Sequence, residues 1–89
     1  MPVLDGLTTL TVGYALDHGV EVCAGCDHCR CLVPIRLDQL RRELDLLEAL
    51  MDGRIVHRRR CRQPARALYA TVSSNVGRAT LESRTWRVD

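Results

Sequence analysis

The sequence has little of the material that usually fills the core of a small domain. It contains no Phe, one Trp and two Tyr among 89 residues, so burial must rest on Leu and Val rather than on aromatic rings. A domain of this length has a small core, which is often reinforced by a metal ion or by disulfide bonds. The shortage of aromatic residues therefore favours such a reinforcement.

The sequence also lacks any signal for membrane insertion or secretion. No stretch approaches the roughly 18 consecutive apolar residues of a membrane span, and residues 1–6 show neither the basic nor the apolar region of a signal peptide. We therefore expect a cytoplasmic protein with reduced thiols and no membrane partner. The odd number of cysteines, five, also fits a metal site better than a set of disulfide bonds.

Motifs for catalysis are missing too. The sequence has no nucleophile motif and no Gly-rich phosphate loop, and no carboxylate stands at a fixed spacing from the thiols. We predict that the protein is not an enzyme and takes no small-molecule substrate. A catalytic zinc, which would keep one coordination position open, is the weaker alternative.

Four of the five cysteines lie together within residues 23–31, CAGCDHCRC. Cys23 and Cys26 form a C-x-x-C pair with Gly25 inside it, a spacing that lets a tight turn aim two thiolates at one metal ion. Zinc takes four tetrahedral nitrogen or sulfur ligands, so such a pair needs ligands from elsewhere in the chain. Cys61 is the obvious candidate, and one structural zinc would then join two distant segments.

Hydrophobic and turn-forming patterns predict a single small α+β domain over residues 1–89, with two helices and short antiparallel strands. Thr11 is expected to cap a helix over 12–18 that ends at Gly19, and Asp38 to cap a longer amphipathic helix to about Met51. The predicted strands cover residues 20–23, 31–35, 54–61, 67–73 and 79–88, the last two forming a C-terminal hairpin within 66–89. Residues 1–10 carry few signals and are expected to be irregular.

Residues 11–19, TVGYALDHG, followed by the C-x-x-C pair, His28, Pro34 and a Leu-rich segment from Leu37, resemble small, largely uncharacterised bacterial zinc-ribbon-like proteins. Members of that group run from a short helix into a C-x-x-C-G-H knuckle, then into a Leu-rich helix and a second knuckle of the type R-C-x-x-C. The similarity covers roughly residues 8–64. It implies a structural zinc, no known catalytic activity and no settled biochemical role.

The sequence departs from this pattern at the second knuckle. Cys61 matches the first cysteine of that knuckle, but Pro64 stands in place of the second. In a knuckle hairpin His28 would lie opposite Val22 and away from the metal, which puts Cys29 on the metal side. We therefore predict a zinc site of Cys23, Cys26, Cys29 and Cys61, with His57 and Cys31 as alternatives for the fourth ligand and His28 behind them.

Other interpretations of the thiols stay open. Cys23, Cys26 and Cys29 read C-x-x-C-x-x-C, and with Cys61 they supply the four thiolates that an iron–sulfur cluster needs. The cysteines could instead be free thiols of a metal-free domain. A thioredoxin-like redox role is weaker, because the C-x-x-C of that fold begins a helix, whereas here it follows a strand.

Six arginines fall between Arg54 and Arg66, although the formal net charge of the chain is only +2 and no Lys is present. A run of charge is often a solvated face, but arginine clusters also contact phosphate groups. The predicted nucleic-acid contacts are Arg58, Arg59, Arg60 and Arg62. The scarcity of aromatic rings argues against stacking on single-stranded bases. The alternative is a module that binds a partner protein.

Overall fold

A four-stranded antiparallel sheet organises the chain, and two short helices pack against one of its faces. A computed structural model describes residues 3–27, 30–56, 62–73 and 79–88. In these residues the elements are α1 (Val12–Asp17), β1 (Val20–Gly25), β2 (Leu32–Pro34), a 3-10 turn (Leu37–Gln39), α2 (Leu46–Met51), β3 (Ala67–Ser73) and β4 (Thr80–Arg87). The strand order is β2-β1-β3-β4, which confirms the predicted α+β class.

The C-terminal hairpin follows the prediction closely. β3 has the predicted bounds and pairs with β4 along its length. β1 lies between β2 and β3, and it runs on to Gly25 instead of ending at Cys23, because Ala24 and Gly25 pair with both neighbouring strands. The tight turn expected inside the C-x-x-C pair is therefore strand.

Alternate residues of the sheet face two different environments. The residues of one face are buried beneath the helices and form the covered face: Val20, Val22, Ala24, Leu68, Ala70 and Val72. The opposite, open face includes Cys23, Tyr69 and Thr85, which lie side by side on β1, β3 and β4. These three are half-buried or exposed, so no described helix covers them as the helices cover the core.

Helix α1 begins and ends as predicted. The hydroxyl of Thr11 accepts the backbone N–H of Tyr14 at 3.1 Å, and Gly19 follows the helix with a φ of 65°. Gly13 lies against another segment, since its N–H donates to the carbonyl of Arg42 at 2.9 Å. A Cβ at Gly13 would lie 3.2 Å from that oxygen, so the glycine that weakens the helix pattern allows the contact.

The long helix predicted over 38–51 is wrong. The chain forms a 3-10 turn at Leu37–Gln39, and α2 begins only after Asp45. The carboxylate of Asp45 caps α2 by accepting the N–H of Leu47 at 3.0 Å. It also accepts the N–H of Leu10 at 3.0 Å, so this one side chain holds two segments together.

The segment before α2 is a turn rather than a helix, and its carbonyls accept hydrogen bonds from α1. The carbonyl of Leu44 accepts the N–H of Val12, and that of Arg42 accepts the N–H of Gly13, both at 2.9 Å. The first N–H groups of a helix have no partner within the helix. A continuous helix over 38–51 would use these carbonyls in its own hydrogen bonds, and α1 would lose its acceptors.

The described part of the N-terminal segment, residues 3–10, has no helix or strand, as expected, but hydrogen bonds and burial hold it in place. Leu4 and Leu10 are 1% and 0% exposed. The carboxylate of Glu82 accepts the N–H groups of Val3 at 2.6 Å and Leu4 at 2.7 Å, and Arg84 donates to the carbonyl of Leu4 at 2.8 Å. We call Glu82 and Arg84 the N-terminal clamp. The backbone hydrogen bonds, that of Val3 first, hold the pKa of Glu82 below its ordinary value.

Candidate metal and nucleic-acid site

The turn between β1 and β2 comes after Cys26, not inside the C-x-x-C pair as the sequence predicts. Gly25 lies opposite Leu32, and beyond this pair the N–H of Cys26 donates to the carbonyl of Cys31 at 3.4 Å. Arg30 lies in the turn with a φ of 55°, and its N–H donates to the carbonyl of Cys26 at 2.9 Å. The structure therefore brings Cys26 and Cys31 together across the turn.

The register expected for a knuckle hairpin is wrong. It paired Val22 with His28, whereas the carbonyl of Val22 accepts the N–H of Ile35 at 2.9 Å. The preference for Cys29 over Cys31 as a ligand depended on that register. His28 and Cys29 lie outside the described residues, so Cys29 stays a prediction, while the position of Cys31 opposite Cys26 supports Cys31.

Cys23 lies on the open face of the sheet. Its neighbours across the strands are Pro34 and Tyr69, whereas Cys26 follows the last residue of β1, Gly25. Burial raises the pKa of the Cys23 thiol, and the carboxylate of Glu21 raises it further. Since the thiolate is the nucleophile, Cys23 does not have the properties of a reactive cysteine.

The other half of the predicted site lies between two described positions that are bridged to each other. Val56 forms an isolated bridge with Pro64, and the N–H of Ala65 donates to the carbonyl of Ile55 at 2.6 Å. Of the strand predicted over 54–61, the structure describes residues 54–56, and among these only Val56 forms a bridge. Residues 57–61, which include the candidate ligands His57 and Cys61, lie outside the described residues.

Cys26 lies where this segment meets the first hairpin. It is 5% exposed and lines a cleft of about 460 Å³ with Gln63, Pro64 and Arg66. The N–H of Arg66 donates to the carbonyl of Gly25 at 2.9 Å, which fixes the contact. We call the contact between Cys26 and residues 63–66 the thiol junction.

The described residues contain no group of three or more His, Cys, Asp or Glu side chains that could hold a metal ion. Of the four predicted ligands, the structure describes Cys23, which lies in β1, and Cys26, which follows it. Cys29 and Cys61 lie outside the ranges given above. The zinc site therefore stays a prediction, to which the structure adds the thiol junction and the pairing of Cys26 with Cys31.

We call residues 54–66, which carry the six clustered arginines, the basic segment. Its charge is partly neutralised in the part that the structure describes. The guanidinium of Arg54 lies 3.4 Å from the carboxylate of Asp52, an exposed ion pair of the kind that contributes little to stability. Arg62 and Arg66 are exposed. The other predicted nucleic-acid contacts, residues 58–60, lie outside the described part of the chain.

A second cleft, which the sequence did not reveal, opens on the open face of the sheet. Its volume is about 430 Å³, and its lining includes Gly25, Ala67, Tyr69, Arg30 and Arg87, together with Cys26 and Cys31. The ring of Tyr69 lies against Gly25, since a Cβ there would be 3.0 Å from the ring. We call this cavity the Tyr69 cleft. The sequence did not predict this cleft, because polar and apolar residues are mixed on both faces of β4 and do not show which face is open.

The Tyr69 cleft and the cleft of the thiol junction share a positive rim. Arg87 donates to both carboxylate oxygens of Asp27, at 2.9 and 3.1 Å. Asp27, and more weakly Tyr69, raise the pKa of Arg87, which remains a cation. Among the described residues that line the two clefts, Asp27 alone is acidic, whereas Arg30, Arg66 and Arg87 are basic. Three basic side chains and one acidic side chain therefore border the two clefts.

Comparisons with protein-family models, curated proteins and solved structures find no match to this chain. No helix in the described ranges is long and apolar enough to cross a membrane. The similarity to zinc-ribbon-like proteins therefore remains a prediction from short motifs, and the function has to be inferred from the geometry of the site.

Proposed function

We propose that the protein is a small zinc-stabilised module that binds nucleic acid through its basic segment. The observation that carries the proposal is the thiol junction, where buried Cys26 lines one cleft with Gln63, Pro64 and Arg66. Cys61 precedes Pro64 by three positions, and extended chain spans at most about 3.6 Å per residue. A metal ion at the junction is thus within reach of Cys61.

We assign the zinc to Cys26, Cys31 and Cys61, with the fourth thiolate supplied by Cys29 or Cys23. Cys26 and Cys31 face each other across the turn, where the Cβ atoms of cross-strand neighbours are about 5 Å apart, a separation that suits two ligands of one tetrahedral ion. Zinc would join the first hairpin to the basic segment. It would also compensate for the modest core of a chain without Phe.

Zinc content of single cysteine variants tests this assignment. Each variant is purified without added metal and analysed by mass spectrometry of the metal: Cys23→Ser, Cys26→Ser, Cys29→Ser, Cys31→Ser and Cys61→Ser. We expect Cys26→Ser, Cys31→Ser and Cys61→Ser to lose most of the zinc, and one of the remaining two to keep it. Full zinc in Cys26→Ser would remove the junction as the metal site, and a brown protein containing iron would support a cluster instead.

Nucleic-acid binding is tested by reversing the charge of two arginines at each of two places in the chain. Arg59→Glu with Arg60→Glu should weaken binding to DNA at low salt and reduce the slope of log affinity against log salt by about 2. The matched control, Arg36→Glu with Arg41→Glu, makes the same charge change on exposed residues between β2 and α2. If both double variants bind alike, the basic segment is not the binding surface.

A further inference from the structure

We infer that the Tyr69 cleft binds one base of a single-stranded nucleic acid, stacked on the tyrosine ring. This inference rests on the proposed function and names the class of nucleic acid that the site takes. The small number of aromatic residues argued against stacking, but position matters more than number. Of the two tyrosines, Tyr14 contacts the N-terminal segment and His18, whereas Tyr69 lies on the open face beside the positive rim.

The cleft offers apolar groups to a flat ring. The side chains of Tyr69 and Leu32 both lie over Gly25, since a Cβ there would be 3.0 Å from the tyrosine ring and 3.3 Å from the leucine. Both side chains line the cleft. Leu32 is 57% exposed. A base stacked on Tyr69 would cover this apolar side chain as well.

The charges around the cleft complement a nucleotide. Arg30 and Arg87 line it, and Arg66 lines the neighbouring cleft that shares Asp27, so phosphates on either side of the base would meet cations. The Asp27 carboxylate can accept a hydrogen bond from a base edge while it holds Arg87. In a duplex the bases are stacked and paired, so a base enters this cleft most easily from a single strand.

Affinity for an oligothymidine single strand and for a duplex of equal length, at low salt, tests the inference. Removal of one stacking contact in Tyr69→Ala should weaken single-strand binding by roughly 5- to 150-fold and leave duplex binding unchanged. Tyr69→Phe, which keeps the ring, should bind like the wild type. Thr85→Ala changes the neighbour of Tyr69 across the sheet and serves as the control for the open face.

The two proposals fail in different ways. If Tyr69→Ala binds the single strand normally while Arg59→Glu with Arg60→Glu binds weakly, the base site is wrong and the proposed function stands. If neither nucleic acid binds to the wild type, both proposals are wrong.

A second measurement does not depend on the folding of a variant. A bromouracil-substituted strand photocrosslinked to the wild-type protein should attach to the tryptic peptide that follows Arg66 and contains Tyr69. Crosslinks confined to other peptides would overturn the inference.

Discussion

The two ends of the sheet are held together in different ways. At one end the N-terminal clamp fixes a segment whose side chains Leu4 and Leu10 are buried in the core. At the other end, the thiol junction places Cys26 against exposed Gln63, Pro64 and Arg66. The first end is stabilised by apolar burial and hydrogen bonds, whereas the second has few apolar groups to bury. The second end also carries exposed arginines, Arg62 and Arg66.

Removal of metal should have the largest effect and should act first at the thiol junction. A strong chelator is expected to lower the melting temperature and to abolish hydrogen-exchange protection of the Arg30 and Arg66 amides, because structural zinc contributes roughly 10–16 kcal/mol of binding free energy. The amides of Val12 and Gly13, bonded to Leu44 and Arg42, should remain protected longer. Simultaneous loss at both ends would show that they form one cooperative unit.

Shortening of the buried Leu4 side chain tests the end of the sheet that holds the N-terminal clamp. Leu4→Ala should lower the free energy of unfolding in denaturant by about 2–5 kcal/mol, the usual range for a buried leucine. Leu16→Ala, at a position that is 40% exposed on α1, is the matched control and should change stability little. A small effect of Leu4→Ala would mean that the segment adds little to the core.

A comparison of two aspartates sharpens the account of α2. Asp45→Ala removes the cap of α2 and the acceptor for the Leu10 N–H, and it should cost about 1–3 kcal/mol. Asp38→Ala removes the residue that the sequence suggested as a cap, and it should cost less than about 0.5 kcal/mol. Chemical denaturation of both variants measures the difference, and equal costs would contradict the observed start of α2.

The smallest effect concerns acid stability of the clamp. The pKa of Glu82 is lowered in the folded protein, so its contribution is present above about pH 4.3, the ordinary glutamate value. That contribution is lost as the pH falls through the lower, folded value. Glu82→Gln should therefore show a flatter fall of melting temperature below pH 4.3 than the wild type, with Glu43→Gln as the exposed control. Parallel curves for Glu82→Gln and wild type would exclude this role.

Local signals predicted the elements that depend on their own residues. The β-branched and aromatic run of β3 and the cap and glycine of α1 appear in the structure with nearly the predicted bounds. The helix over 38–51 failed because leucines at helical spacing do not record that α1 needs the carbonyls of Arg42 and Leu44. Such a demand comes from a distant segment, and no local pattern encodes it.

For the candidate site too, the sequence predicted what depends on local residues and not what depends on distant segments. The sequence identified the concentration of thiols and arginines, since both are compositional. It misjudged the hairpin register, because the pairing of Gly25 with Leu32 depends on β1 being extended by its other neighbour, β3. It missed the Tyr69 cleft, because the open face is defined by where the helices pack.

The N-terminal clamp also sets the order of events during synthesis. Glu82 and the N–H groups of Val3 and Leu4 are 79 and 78 positions apart, and closure of so long a loop costs entropy and slows folding. On the ribosome Leu4 is made before β4 and has to wait for it. During that interval it is an exposed apolar side chain, and a chaperone bound to the nascent chain would compete with the sheet for it.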